Sequence, residues 1–184
     1  ARPHPCLDYL VNRTSRVPVI VGLLAFLYSM VGVSVPSFWT DEAATVSAVN
    51  RDFPELLTML GKVDAVHGVY YMLMYGWTRI FGLSELSLRT PSLIAVAVAA
   101  GLLMALGRRL GGTAYGVSAA FIFVILPRVQ YVATDARSYA MTVLGAVLAS
   151  YLLVLVRESP SKLRWLWYGL TGLLTVSLSF YAVL

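Results

Sequence analysis

The stretch "VHGVYYMLMYGWTRIFG", residues 66–82, decides how the rest of the chain is arranged. About 15 of its residues are usable for a span, a little over 20 Å as a helix, whereas crossing a hydrocarbon core of about 30 Å takes roughly 20. It carries His67, Tyr70, Tyr71, Tyr75 and Trp77, residue types that prefer the membrane–water interface. Val66, Val69, Leu73, Trp77 and Ile80 recur at helical spacing, as in a helix lying along a surface with one apolar stripe. The spacing predicts a flat helix.

The flanking sequence is greasier. Apolar residues make up 59% of the 184 and charged residues only 12%, with a mean hydropathy of +0.76. A soluble domain carries about a quarter of its residues as charges. Segments 17–35, 90–107, 113–127, 137–156 and 165–184 each read as a membrane helix. The first has basic flanks at Arg13 and Arg16, but its core is too long for a cleaved leader and more spans follow. The single Cys6 excludes an internal disulfide. The expected class is all-α: a polytopic membrane protein with about five transmembrane helices, residues 1–184 forming one transmembrane domain. Residues 36–88 form an outer loop with juxtamembrane helices.

Charge supports the flat helix. With 66–82 on the surface and the amino terminus inside, the inner side holds Arg2, Arg13, Arg16, Arg108, Arg109, Arg157, Lys162 and Arg164 against Asp8 and Glu158. The outer side holds Asp41, Glu42, Asp52, Glu55, Asp64, Glu85 and Asp135 against six basic residues. If 66–82 crossed instead, "GRRLGG" and "RESPSKLR" would move outside and the positive-inside bias would vanish. The net charge of +5 therefore serves topology, and no nucleic-acid partner is expected. There is no Ser-His-Asp order, no P-loop and no dinucleotide fingerprint. Gly101, Gly107, Gly145 and Gly172 are expected to allow close helix contact.

This topology gathers polar chemistry on one face. In "FWTDEAATVSA", 38–48, the adjacent acids Asp41 and Glu42 follow the first apolar run, with Thr40 or Asp41 the expected helix N-cap. Asp64 and His67 are three apart, on one face of a helix; they could hold an acceptor, a carrier phosphate or, with Asp41, a divalent ion. In "YVATDARSYA", 131–140, Thr134 or Asp135 is the expected cap and Arg137 falls in the first turn. A helix N-terminus plus a guanidinium makes a phosphate site. Lys62 is a second cation for that role.

The order "TDEAATVSA", "DAVHGVYYMLMYGW", "FGLSELSLRTPSLIA", "GRRLGG" and "YVATDARSYA" resembles the multi-spanning glycosyltransferases of the GT-C superfamily. The likeness is to the bacterial branch related to protein O-mannosyltransferases and the aminoarabinose transferase of lipid A, and it covers about 36–184. One departure is His67-Gly68-Val69, where these relatives usually have His-Pro-Pro. The family is commonly two to three times longer, so 1–184 is expected to be the amino-terminal part of a GT-C module.

The resemblance implies an inverting transferase of the bacterial plasma membrane, with its amino terminus cytoplasmic and its active site facing outward. It implies a polyprenyl-phosphate-linked sugar as donor, of mannose or arabinose type. The acceptor is a hydroxyl of a glycan, lipid or protein. Asp41 is then the catalytic base, and Glu42 its helper in positioning or an acceptor contact. Asp64, His67, Asp135, Arg137, Lys62 and Tyr139 are the expected substrate contacts. Two other classes fit a multi-pass chain, a transporter or lipid-linked-sugar flippase and a non-catalytic envelope subunit. Transporters carry ionisable groups at mid-membrane; here the charges gather at segment ends.

Overall fold

The computed structural model describes residues 16–35, 37–63 and 65–178, and among these every regular element is helical. Helix α1 is Val17–Met30, α2 Thr40–Val49, α3 Phe53–Leu60 and α4 Gly68–Phe81, with a 3-10 turn at Ala65–His67 before α4. Then come α5 Glu85–Gly111, α6 Thr113–Ile125, α7 Pro127–Ala133, α8 Tyr139–Glu158 and α9 Lys162–Leu178.

Helix α5 is the axis, packed against α1, α6 and α8, with α9 laid on α8. Its start is fixed by Ser84, whose hydroxyl accepts from the Ser87 N–H at 3.2 Å. It ends at Gly112, whose φ of 96° suits glycine. Small residues set the crossings. A Cβ at Gly101 would lie 2.8 Å from the Pro18 carbonyl, and one at Gly107 2.6 Å from Gly116 Cα. Gly145 abuts Thr175 as closely, whereas at Gly172 no neighbour lies within reach among the described residues, so the close contact expected there is not seen.

By length and composition, α5 and α8 can each cross a membrane. The pair α6 and α7 makes a third span if its 69° bend lies within one crossing; the bend falls at Leu126 and Pro127, where proline cannot donate to the preceding turn. Helix α1, at 14 residues, is shorter than the sequence implies, and α9 is described over 17 residues. Residues 31–35 leave the helix as turns, and 179–184 lie outside the described residues. Leu23, Leu24, Phe121, Ile122, Leu173 and Leu174 are exposed along the flanks of the bundle, as expected of surfaces that meet lipid.

The two basic segments fall at one end of this bundle. Arg109, near the end of α5, bonds Glu158, at the end of α8, at 2.6 Å, and Arg164 donates to the carbonyls of Leu155 and Ser159. The opposite end is capped by α2 to α4, which share a core of Ala48, Leu56, Tyr70, Tyr71, Met74 and Leu88 with Ala136 of the α7–α8 connection. Helix α4 is 14 residues long and turns Tyr70, Tyr71, Met74 and Thr78 inward. Leu73 and Ile80 of its expected apolar stripe are exposed, at 44% and 76%.

One ion pair joins this cap to the axis. Arg89, four residues into α5, is 1% exposed, and so is Glu42 of α2. The Arg89 Nε donates to Glu42 Oε1 at 2.8 Å and Nη2 to Oε2 at 2.6 Å. Arg89 also donates to the carbonyls of Val33 and Ser37, which fixes the chain between α1 and α2. Glu42 accepts from the Trp39 N–H at 3.1 Å and from the Ala136 N–H at 3.0 Å. Burial pushes the Glu42 carboxyl up, but Arg89 and the two backbone donors outweigh it and hold it below the usual carboxylate range.

Removing one partner of a buried, hydrogen-bonded ion pair costs about 3–5 kcal/mol, because the other charge is stranded. Glu42→Gln and Arg89→Met are each expected to lower the thermal midpoint of the purified protein sharply. Glu42→Leu should lose at least as much alone, and the double variant Glu42→Leu with Arg89→Met should lose less than the Glu42→Leu and Arg89→Met losses added. Thermal unfolding in detergent checks this; a Glu42→Gln midpoint equal to wild type contradicts it.

Candidate functional site

The connection 134–138, "TDARS", is held at successive residues by three helices. Ser92 of α5 donates to the Asp135 carbonyl at 2.7 Å. Thr45 of α2 donates to the Ala136 carbonyl at 2.8 Å, while Glu42 accepts the Ala136 N–H. The Arg137 Nη1 donates to the Tyr71 hydroxyl of α4 at 2.9 Å. The Ser138 hydroxyl lies 3.1 Å from His67 Nδ1, which is also 3.5 Å from the Leu178 carbonyl. These contacts fix the backbone of the connection from Asp135 to Ala136 and the side chains of Arg137 and Ser138, so it is a defined surface despite having no helix of its own.

On this surface Asp41 and Arg137 meet. The Arg137 Nη2 is 3.9 Å from Asp41 Oδ1; the Asp41 side chain is 58% exposed and that of Arg137 13%. Helical geometry sends the neighbours Asp41 and Glu42 apart, one to solvent and one into the core. Helix α2 begins at Thr40 with Trp39 as cap, so neither Thr40 nor Asp41 caps it as expected. The backbone cap bond comes from Glu42 instead. Likewise α8 begins at Tyr139 after Ser138, so neither Thr134 nor Asp135 is its cap, and Arg137 precedes the helix. Thr134 instead donates back to the Gln130 and Tyr131 carbonyls of α7.

Of the other expected contacts, His67 is 7% exposed and sits in the 3-10 turn, with its ring edge-on to Tyr71 at 6.3 Å. Tyr139 is half-buried and packs on the core around Leu93, Val96 and Val132. Lys62 lines a separate open depression with Arg51, Pro54, Glu55 and Thr58. Asp64 lies outside the described residues, so the set Asp41, Asp64 and His67 is not seen together. Among the described residues no three His, Cys, Asp or Glu side chains cluster as metal ligands.

Arg89, Thr45, Ser92 and Ser138 carry the site's architecture and were not singled out in the sequence, and Tyr71 was read there only as an interfacial aromatic. Only Arg89 leaves a signal there, as a cation within "SLRTPSLIA" at the mouth of an apolar helix.

Asp135 is 6% exposed, and its Oδ2 has no hydrogen-bond partner among the described residues. Burial raises its carboxyl from 3.8 to about 6, with Glu42 adding to the rise and Arg137 opposing it. A raised acid binds more protons folded than unfolded between those values, so ionising it costs stability as pH climbs from about 4 to about 6. The penalty is complete above the folded value and absent below the unfolded one. Asp135→Asn should therefore raise the thermal midpoint relative to wild type at pH 7.5, with the gap narrowing at pH 5. A gap that is equal at both pH values, or reversed, contradicts the assignment.

The family model described as dolichyl-phosphate-mannose-protein mannosyltransferase matches residues 68–182. The match includes α4 to α9 with Arg89, Asp135 and Arg137, and it starts after Asp41, Glu42 and His67. No curated protein and no solved structure matches the chain. The match covers more than half of the chain and agrees with the helical architecture. The chain belongs to this mannosyltransferase family, within the GT-C superfamily of membrane glycosyltransferases.

Proposed function

We propose that this chain carries the reaction centre of a membrane transferase. It moves a sugar from a polyprenyl-phosphate carrier to a hydroxyl acceptor, with Asp41 as base and Arg137 on the phosphate. The observation behind this reading is the pairing of an exposed carboxylate with a largely buried guanidinium 3.9 Å away, at the end of the bundle opposite the basic segments. The second acid, Glu42, is committed to Arg89, so we take it as a positioning residue and not as an acceptor contact.

The step is a single displacement with inversion. The Asp41 carboxylate takes the proton of the acceptor hydroxyl, that oxygen bonds the anomeric carbon, and the bond from this carbon to the carrier phosphate breaks. The electron pair goes to the phosphate oxygen. The sugar passes through an oxocarbenium-like state, so charge builds on the phosphate. Arg137, oriented by the Tyr71 hydroxyl, is placed to meet that charge without reorganising. His67 and Tyr139 flank the centre. The positive-inside bias puts Arg108, Arg109, Arg157, Lys162 and Arg164 at the cytoplasmic face and the reaction centre outside, at a bacterial plasma membrane. Residues 36–88 then act as the outer cap of one transmembrane domain.

Sugar transfer in membranes supplied with polyprenyl-phosphate donors tests the roles. Asp41→Asn should cut turnover by roughly 100- to 10,000-fold, the range for loss of a general base. Its protein level should stay normal, since Asp41 is exposed and caps nothing. Full activity in Asp41→Asn would remove it as the base. Arg137→Ala should raise the donor KM and lower kcat, with Arg137→Lys recovering only part, since an ammonium cannot copy the planar fork. An unchanged donor dependence would remove Arg137 from the site.

In a Cys6→Ser background, cysteine at Lys62 should label from outside and cysteine at Leu110 from inside. Labelling of Leu110→Cys from outside would invert the orientation.

A further inference from the structure

Beside the Asp41–Arg137 pair lies a second concave feature, formed by the start of α2, helix α7 and the 134–138 connection. It is a cavity of about 170 Å³ lined by Trp39, Glu42, Arg89, Tyr131, Thr134 and Asp135. Its two walls are aromatic, Trp39 being 65% and Tyr131 43% exposed. In its floor the charges of Glu42 and Arg89 satisfy each other at 2.6 Å, so they neutralise the base of the cavity without offering a free ion. The remaining floor group is Asp135, 6% exposed, with its Oδ2 unpartnered among the described residues.

These features select a ligand chemistry. A buried carboxylate oxygen without a donor calls for one, because leaving it unsatisfied carries a desolvation cost. Exposed aromatic faces flanking it call for apolar C–H surface. The volume is below the roughly 300–1,000 Å³ of sites for drug-sized ligands, so the occupant is small. A sugar ring meets all three conditions: its hydroxyls donate, its ring faces present C–H groups, and one ring is of this size. An inorganic anion would be repelled by Asp135. A lipid tail would leave the carboxylate unpaired.

We propose that the cavity between Trp39 and Tyr131 seats one monosaccharide ring, with Asp135 accepting hydrogen bonds from its hydroxyls. The proposal rests on the glycosyltransferase reading and adds where a sugar is held and by what. The ring belongs either to the lipid-phosphate donor or to a glycan acceptor; the recognition chemistry is the same. With a donor sugar here, the anomeric carbon faces the Asp41–Arg137 pair next to the cavity.

The test is equilibrium binding of radiolabelled polyprenyl-phosphate mannose and of bare polyprenyl phosphate to the detergent-purified chain. The wild type should bind the mannosyl lipid more tightly than the bare lipid. With the donor's ring in the cavity, that preference should fall about tenfold in Trp39→Ala and in Asp135→Asn, the scale of one charged hydrogen bond or one aromatic contact; with the acceptor's ring there, binding of methyl α-mannoside should fall by as much. Trp39→Phe should retain it, and bare-lipid affinity should be unchanged in all three. Methyl α-mannoside separates the sources. If it competes with the mannosyl lipid in a Trp39-dependent way, the ring is the donor's; if it binds alongside with the same dependence, the ring is the acceptor's. Binding of both the mannosyl lipid and the glycoside that is equal in wild type, Trp39→Ala and Asp135→Asn overturns the cavity assignment and leaves the transferase reading standing. Failure of the wild type to bind either lipid would instead count against that reading.

Discussion

The Arg89–Glu42 ion pair is the constraint on which the rest of this end of the molecule depends. Each partner is 1% exposed, a placement that is expensive unless every charge is met. It is met here by a bidentate fork, by the Val33 and Ser37 carbonyls, and by the backbone N–H groups of Trp39 and Ala136. One pair thereby fixes the exit of α1, the start of α2, the first turn of α5 and the connection before α8. Such a contact contributes more to register than to net stability, since an apolar pair of equal volume could hold the same space.

Register is what the proposed reaction centre requires. Once Glu42 is locked inward, Asp41 one residue earlier is carried outward by the helix. Once Ala136 is locked to Glu42, Arg137 one residue later is carried toward Asp41 and Tyr71. The pair at the surface is the external consequence of the pair inside. Positioning of this kind, achieved before substrate arrives, is how a site stabilises developing charge without paying for rearrangement at the moment of reaction. The same lock leaves Asp135 buried and raises its carboxyl, the opposite direction to that of Glu42.

The sequence made the class and the gathering of polar groups legible. Hydropathy alone identified the long apolar segments, and the stretch 66–82 was readable as a short helix, 14 residues in the structure, although the face it buries is Tyr70, Tyr71, Met74 and Thr78 and not the expected apolar stripe. The grouping of "GRRLGG" with "RESPSKLR" followed from charge, and the Arg109–Glu158 contact unites those segments. The caps expected at Thr40 or Asp41 and at Thr134 or Asp135 were misread because the helices start at Thr40 after Trp39 and at Tyr139 after Ser138, starts set by the tertiary contacts of Glu42 and of the 134–138 connection. The different fates of Asp41 and Glu42 were hidden for a simple reason. Which of two adjacent acids points inward depends on a partner 47 residues away in sequence, and local pattern holds no record of it. Arg89 could have been flagged by its rank among apolar residues, but its partner could not.

The central claim is that Asp41 and Arg137 together form the reaction centre, and the most direct measurement is an experimental structure of the membrane-embedded chain with polyprenyl-phosphate mannose bound. The account predicts the carrier phosphate within hydrogen-bond distance, about 2.7–2.9 Å, of the Arg137 guanidinium. The anomeric carbon should be open to attack from the side on which the Asp41 carboxylate lies. A phosphate held instead at Lys62, or at the Arg109 and Arg164 end of the bundle, would contradict it.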